Sequence, residues 1–308
     1  MSFFSLISVF ILEQWRPFPG RLAIHAVVDR VAAFLEEHFN AGQVHHGVIA
    51  WCIAVLPVVL LTWGANALLH RIHPLLGFLF NVAVLYMTMG FRQGSHYFTS
   101  IHRALKDGDV ELARTILAEW RGQPGAALTA EEIVRLTIEQ ALLGAHRYVF
   151  AVIFWFALLP GPTGAILYRL CELLAERWAR PQPAASEKFG LPSRLIFHAL
   201  DALPARLTGV GFAIVGDFED AIFCWRGQAS TWPDRVAGIV LASGAGAMGV
   251  RLGMPVHTEE GGFDDRPELG TGDEAEVDYL DSTVGLLWRA LILWLAMILI
   301  VTIVQALS

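Results

Sequence analysis

Four long stretches of the chain carry no charge and consist mainly of apolar side chains. They cover Gly47–Leu69, Leu75–Phe91, Tyr148–Tyr168 and Ala290–Ser308. A helix needs about 20 mostly apolar residues to cross a bilayer, and the first and third stretches reach that length. A large soluble protein could bury one such helix, but four would leave little polar surface for water. The pattern predicts an all-α, polytopic integral-membrane helical bundle.

Short polar segments divide these stretches. His70–Pro74 is the only polar interruption between the first two, which predicts a tight turn and a transmembrane hairpin over 47–91. The first twelve residues are apolar but lack the positive start and the cleavage site of a signal peptide. We therefore expect an interfacial helix there, inside an N-terminal amphipathic region over 1–46.

Lys and Arg residues are concentrated on both sides of the third apolar stretch. The segments Arg92–Arg147 and Arg169–Arg206 are rich in them, which places both in the cytoplasm. The stretch between them must then enter and leave on one side, and Leu159–Pro162 is the natural reversal point because proline disfavours helix. This favours a helical hairpin over 148–168, with a single kinked span as the alternative.

Helix-start signals mark amphipathic helices in the first of these segments. Asp107-Gly108-Asp109 indicates a turn, followed by apolar residues on one helical face. Thr129 and Glu132 have the spacing of a capping box that opens another helix. We interpret 92–147 as cytoplasmic helices with amphipathic faces.

The remaining polar chemistry falls into two groups. Asp217, Glu219 and Asp220 follow an apolar stretch and could hold a divalent cation or face basic residues, or could simply mark the return to water. The glycines of 244–253, with Arg251 or Arg266 nearby, could bring backbone amides to an anion, or could pack helices closely. No phosphate-loop or zinc signature occurs, and Pro and Gly residues over Arg180–Pro192 predict a loop.

Several runs together resemble the CobD/CbiB membrane proteins of cobalamin biosynthesis. The more specific runs are Pro204–Thr208 (PARLT) and Gly249–Gly253 (GVRLG), supported by Arg266–Gly270 and by the single match Glu139. The resemblance covers about residues 95 to 290. Together with the apolar and acidic segments of the chain, it predicts one membrane domain over 1–308, with a family core over 148–250, an acidic loop over 251–283 and a C-terminal transmembrane helix over 284–308.

The resemblance also implies an activity. That family's enzymes are adenosylcobinamide-phosphate synthases, which join a corrinoid propionate to aminopropanol or its phosphate as an amide with ATP. The residues that match suggest ligand contacts at Arg206, Arg251, Arg266 and Glu139, and a metal at Asp217, Glu219 and Asp220. Mg²⁺ and ATP are expected if the activity is retained.

The chain departs from the family pattern at several acidic positions. Arg121–Pro124 stands where the family has Gly-Arg-Asp-Thr, and Leu143-Gly144, His146-Arg147 and Phe197-His198 stand where acids are usual. An Asp-Pro motif near the N-terminus is missing as well. Because chemistry with metal and ATP needs carboxylates, these departures favour a fold that has lost its reaction.

A second resemblance suggests an alternative function. The N-terminal third, with Glu13, and the segment Gly216–Ala221 are similar to AmpE, a non-catalytic inner-membrane modulator of β-lactamase regulation. In either case we expect a multi-pass protein of the bacterial-type inner (cytoplasmic) membrane. Its partners would be the lipid bilayer, a corrinoid ligand or a cell-wall-recycling protein, and a second copy in a homo-oligomer, with no nucleic acid.

Overall fold

The computed structural model describes residues 2–15, 21–123, 125, 127–179, 184–258 and 260–307. The described chain is an all-α membrane bundle, as the apolar pattern predicts. Its helices, in chain order, are α1 (Ser2–Trp15), α2 (Arg21–Phe39), α3 (Val44–Ile72), α4 (Pro74–Thr88), α5 (Phe91–Lys106), α6 (Val110–Arg121), α7 (Ala130–Ala145), α8 (Ala151–Leu158), α9 (Thr163–Trp178), α10 (Ala184–Val215), α11 (Phe218–Gln228), α12 (Arg235–Met248) and α13 (Asp278–Leu307).

The chain divides into two compact units. One contains residues 1–90, 151–203 and 298–308, and the other contains residues 91–150 and 204–297. The candidate functional site described below lies wholly within the second unit. The sequence-based division into a single domain with six segments stays a prediction.

Within the part of the chain that the structure describes, three helical stretches are long and apolar enough to cross a membrane. They are Val44–Ile72, Ala130–Leu158 and Asp278–Val304. The second comprises α7 and α8, joined without a break by a π-helical turn at His146–Phe150. The apolar stretch 75–91 forms α4, which has only 15 residues and is therefore short for a full crossing.

Both predicted reversals of the apolar segments are present as turns. His73 separates α3 from α4, and its Nδ1 accepts a hydrogen bond from the N–H of Leu75 at 3.2 Å. Leu159–Pro162 separates α8 from α9, and a Cβ on Gly164 would lie 2.0 Å from the carbonyl oxygen of Trp155. This close approach shows that α8 and α9 pack directly against each other. The side of the membrane on which the flanking segments lie stays a prediction.

The predicted loop over Arg180–Pro192 is wrong from Ala184 onward, where α10 begins. Arg180 to Pro183 lie outside the described residues. The helix forms because Phe189 packs on the Trp178 ring at 5.1 Å, and Gly190 lies against the carbonyl of the same residue. Tertiary packing here outweighs the loop-forming composition of the segment.

The acidic loop contains short strands that the sequence did not predict. β1 (Leu252–Gly253) pairs antiparallel with β4 (Glu268–Leu269), and β2 (Val256–His257) pairs antiparallel with β3 (Phe263–Asp264). Strands of two residues are too short to show an alternating pattern. The loop ends at Asp278, where α13 begins six residues before the predicted boundary at 284, and the acid Glu259 lies outside the described residues.

Candidate functional site

Helix α7 carries three buried charged residues on one face. Glu132, Arg135 and Glu139 are 3%, 8% and 6% exposed, and spacings of three and four residues bring them to the same side of a helix. The predicted capping box is confirmed, with Glu132 Oε2 accepting the N–H of Thr129 at 2.7 Å. Buried charges are stable only when they are paired and hydrogen-bonded, so their partners define the site.

The partners of Glu139 come from the loop that follows α12. Its Oε1 accepts the backbone N–H of Gly253 at 2.9 Å, and its Oε2 forms an ion pair with the guanidinium of Arg266. The same guanidinium lies 4.9 Å from the centre of the Trp232 ring, within cation–π range. Glu139 therefore orients both the loop backbone and a cation.

Arg135 holds the next part of this loop. Its guanidinium donates to the carbonyl oxygens of Gly253 at 3.3 Å and Pro255 at 3.4 Å. Gly253 has a φ of +70°, and a Cβ there would lie only 2.0 Å from the carbonyl oxygen of Pro267. Met254 follows with a φ of 64°, a costly value for a residue with a side chain. The loop is thus held in a strained conformation against α7.

Glu132 binds the loop two residues further on. Its Oε1 accepts the backbone N–H of His257 at 3.0 Å and lies 2.9 Å from Nδ1 of the same residue. The imidazole packs on the ring of Phe263 with 4.5 Å between centres. The side chain of His257 remains 41% exposed, whereas that of Glu132 is 4% exposed. The result is a buried carboxylate that orients an accessible imidazole.

Arg121, at the end of α6, adds a second cation near Glu139. Burial lowers the pKa of its guanidinium, and the nearby Arg266 lowers it further, whereas Glu139 and Asp264 act in the opposite direction. Two guanidiniums beside one buried carboxylate favour the approach of a further anion. We call the group formed by Arg121, Arg135, Arg266, Glu132, Glu139 and His257 the α7 cluster.

The segment that carries Arg266 is fixed at its other end by α11. The side chain of Gln228 accepts the N–H of Gly270 at 2.6 Å and donates to the carbonyl oxygen of Gly270 at 3.1 Å. Gly270 has a φ of +94°, and a Cβ there would lie 2.1 Å from the carbonyl oxygen of Val250. This two-point contact holds the Arg266–Gly270 run in register with the loop.

The structure brings together two of the four predicted ligand residues, Glu139 and Arg266. Arg251 lies on the same loop but pairs with Glu268 at 3.7 Å and with Glu274 at 3.2 Å. Arg206 lies on α10 with an exposed side chain, and the α7 cluster as described forms without it. A ligand role for any of these residues stays a prediction.

The acids predicted to bind a metal lie at the start of α11. Asp217 caps this helix through Oδ1, which accepts the N–H of Asp220 at 3.0 Å, and Glu219 is exposed beside them. Within the described residues, no group of three or more His, Cys, Asp or Glu side chains could hold a metal ion. A metal at these acids stays a prediction, and it would need water or substrate phosphates as additional ligands.

The glycine-rich run before the loop packs helices. It forms the buried helix α12, which ends at Gly249 in the left-handed conformation. A Cβ on Gly246 would lie 2.4 Å from the carbonyl oxygen of Asp220, and one on Gly216 would lie 2.5 Å from that of Ala247. Of the two sequence interpretations of 244–253, close helix packing therefore holds for residues 244–248, which lie in α12.

The sequence predicts no role for four residues of this region. The predicted ligand and metal sites do not include Arg135, His257 or Trp232, and Arg121 enters only as a departure from the family pattern. A usable signal exists for α7, since Glu132, Arg135 and Glu139 share one face of an otherwise apolar helix. No comparable signal exists for His257, because its partner lies 125 positions away.

Comparisons with known proteins agree with this description. A family model described as CobD/Cbib protein matches residues 7–287. "Cobalamin biosynthesis protein CobD" of Stutzerimonas stutzeri is 35% identical, over 96% of this chain and 97% of its own length. The protein of the same name from Chromobacterium violaceum is 34% identical over 82% and 78%, and "Cobalamin biosynthesis protein CbiB" of Salmonella typhimurium is 26% identical over 82% and 80%. No solved structure matches the chain.

Proposed function

The chain belongs to the CobD/CbiB family, and we propose that it acts in cobalamin biosynthesis as an adenosylcobinamide-phosphate synthase. The reaction would join a corrinoid propionate to aminopropanol or its phosphate as an amide. The relatives are named for cobalamin biosynthesis over nearly the whole of this chain, which supports the pathway. The α7 cluster supports the particular step.

The observation that carries this proposal is the set of charges around Glu139. The prediction that catalysis is lost rests on the replacement of acidic residues at positions where the family usually has them. Within the described residues, Glu132 and Glu139 are nevertheless buried on one face of α7. Asp264 lies close enough to interact with Arg121, so carboxylates and guanidiniums occur together in one place. Burying these charges costs desolvation free energy, and such clusters are typical of functional sites.

Arg266 and Arg121 are suited to hold the anionic groups of the substrates. Both substrates carry such groups, a carboxylate in the propionate and a phosphate in aminopropanol phosphate. A guanidinium is planar and matches either group with two parallel hydrogen bonds. The ion pair with Glu139 orients the guanidinium of Arg266, and the Trp232 ring packs against the face of this group.

Mg²⁺ and ATP remain predictions that depend on this activity. The described residues provide no cluster of three metal-ligating side chains. An ion that binds with the nucleotide would take most of its ligands from phosphates and water, as Mg²⁺ commonly does. We therefore assign no step of the reaction to a protein-bound metal.

We further propose a multi-pass arrangement in the bacterial inner membrane. The three helical stretches that are long enough to cross a bilayer support several passes. The Lys and Arg residues of the predicted segments 92–147 and 169–206 support a cytoplasmic position for the parts that lie outside the candidate span Ala130–Leu158. A homo-oligomeric state is also expected from the sequence and remains a prediction.

An AmpE-type role in β-lactamase regulation is the alternative. It rests on the N-terminal third and on Gly216–Ala221. Most of the N-terminal third and all of Gly216–Ala221 lie inside the part of the chain that the CobD/Cbib model matches. In the structure, Gly216 lies against Ala247 of α12, and Asp217 caps α11. This segment therefore has a packing role. These observations favour the cobalamin role.

The test is complementation of a cobalamin-auxotrophic host that lacks its own synthase. We expect growth with the wild-type chain and with Arg226→Ala, at an exposed arginine of α11, and none with Arg266→Ala. Immunoblotting of membrane fractions establishes that all three proteins are present in equal amounts. No growth with wild-type protein present in the membrane would contradict the synthase proposal and favour the loss of catalysis.

A further inference from the structure

His257 lies where the loop crosses the first turn of α7, and both its backbone and its side chain bind Glu132. Oε1 of Glu132 accepts the backbone N–H at 3.0 Å and meets Nδ1 at 2.9 Å. Oε2 is occupied by the N–H of Thr129 at 2.7 Å. Both carboxylate oxygens are engaged, so the carboxylate cannot rotate away from the imidazole.

This arrangement determines which nitrogen of the ring carries a proton. An ionised carboxylate only accepts hydrogen bonds, so Nδ1 must be the donor. The neutral ring then keeps its lone pair at Nε2, on the edge that faces away from Glu132. The side chain of His257 is 41% exposed, which leaves part of it open to a substrate. A carboxylate that fixes the tautomer in this way prepares an imidazole to accept a proton.

We propose that His257 is the general base of the amide-forming reaction and that Glu132 is its positioning residue. This inference rests on the proposed synthase function. The substrate amine reacts in its neutral form, in which the nitrogen has a free lone pair. As this nitrogen forms a bond to the acyl carbon, the proton that it must lose passes to Nε2 of His257. The bond from that carbon to its leaving oxygen then breaks, and the oxygen keeps the electron pair. The acyl group would be activated beforehand by a nucleoside triphosphate.

The position of His257 relative to Arg266 fits two parts of one substrate site. Their partners Glu132 and Glu139 are seven residues apart on one face of α7, which corresponds to about 10 Å along the helix axis. The backbone from Gly253 to His257 joins the two positions and is bound to α7 at Gly253, Pro255 and His257. An anionic group at the arginines and a reacting amine at the imidazole can thus be held by one continuous loop.

The charges around the imidazole favour the protonated product of this step. Glu132 meets it directly, and the guanidinium of Arg135 lies 4.0 Å from the same Glu132 oxygen. Asp264, on the paired strand β3, is opposite Val256, so its side chain lies on the other face of the strand pair from that of His257. Glu132 is thus the carboxylate in direct contact with the imidazole, and its removal would weaken the stabilisation of an imidazolium.

The experiment is the pH dependence of amide formation by the full-length protein in native membranes, with product measured by mass spectrometry. We expect His257→Gln to lower kcat about 100-fold or more, as for loss of a general base, while KM stays the same. In His257→Gln, the fall in rate on the acid side of the pH profile, where the wild-type imidazole becomes protonated, should disappear. Glu132→Gln should move that fall to lower pH. His38→Gln, at an exposed residue of α2, is the control and should change neither kcat nor the pH profile.

The outcomes separate the two proposals. Wild-type membranes that form no amide would overturn the synthase function, and the role of His257 with it. Wild-type activity together with an unchanged kcat and pH profile in His257→Gln would overturn the general-base role alone. A reduced kcat with an unchanged pH profile would also overturn it, because it would indicate a structural effect.

Discussion

Arg266 and Glu139 form an ion pair that joins the loop after α12 to the buried face of α7. Their side chains are 13% and 8% exposed, so little water screens the interaction. The other oxygen of Glu139 accepts the N–H of Gly253, which brings a second part of the same loop to α7. One carboxylate thus positions both a candidate substrate-binding cation and the segment that leads to His257.

Replacement of Glu139 by Gln should strongly destabilise this part of the chain. Arg266 would remain buried without its partner, and breaking a buried pair in this way costs about 3 to 5 kcal/mol. The measurement is thermal unfolding of the detergent-solubilised protein, followed by circular dichroism. Glu268→Gln is the matched control, since Glu268 is 50% exposed and lies 3.7 Å from Arg251. It should cost about 0 to 1 kcal/mol, and an equal loss in both variants would contradict the prediction.

Gly253→Ala should abolish activity by displacing the loop. The new methyl group would collide with the carbonyl oxygen of Pro267, in addition to the strain of a positive φ. Gly261→Ala separates these two effects, because Gly261 has a φ of +79° and open space around it. The control should lose only about 1 to 2 kcal/mol of its free energy of unfolding, the cost of a left-handed conformation for a residue with a side chain. It should keep its activity. Complementation that succeeds with Gly253→Ala would show that the close approach is not required.

Cys224 should react slowly with alkylating agents at neutral pH. Burial raises the pKa of its thiol, and the hydroxyl of Thr271 offsets this only in part. Less thiolate is present at a given pH than in an ordinary thiol, so alkylation should become fast only at more alkaline pH. Peptide mass spectrometry after iodoacetamide treatment over a pH series measures this. A Ser230→Cys variant supplies an exposed reference thiol, and equal rates at neutral pH would refute the prediction.

Engineered cysteines at Ala118 and Ala184 should be labelled from the same, cytoplasmic, side. The prediction follows from the Lys and Arg residues around both positions and from the turn at Leu159–Pro162. Each variant is treated with a membrane-impermeant maleimide in intact spheroplasts and in inverted vesicles. Labelling of the two positions from opposite sides would rule out the hairpin and favour a single kinked span.

Local signals in the sequence were sufficient for most of the helical framework. His73 and Pro74 mark the turn between α3 and α4, Asp109 caps α6, and Thr129 with Glu132 opens α7. Each of these signals acts within four residues, so it can be read without knowledge of the fold. The loop predicted over Arg180–Pro192 is wrong from Ala184 onward, because the packing of Phe189 and Gly190 on Trp178 outweighs local composition.

The candidate site could be predicted only in part, because its contacts join residues that lie far apart in the sequence. The family resemblance predicts Glu139, whereas the glycine-rich run and the resemblance together predict Arg251 and Arg266. The pairing of Glu139 with Arg266 joins positions 127 residues apart, and nearby acids engage the guanidinium of Arg251. His257 shows no local pattern at all, because its orientation depends on Glu132 and on a two-residue strand.

The most direct test of the synthase function is product formation by the protein itself. Membranes from a host without its own synthase, carrying the wild-type chain, are supplied with a corrinoid that has a free propionate, aminopropanol phosphate, ATP and Mg²⁺. We expect mass spectrometry to detect the amide product with wild-type membranes, and little or none with Arg266→Ala or with membranes that lack the chain. Equal amounts of product in all three samples, or no product with wild-type protein demonstrably present, would contradict the synthase function.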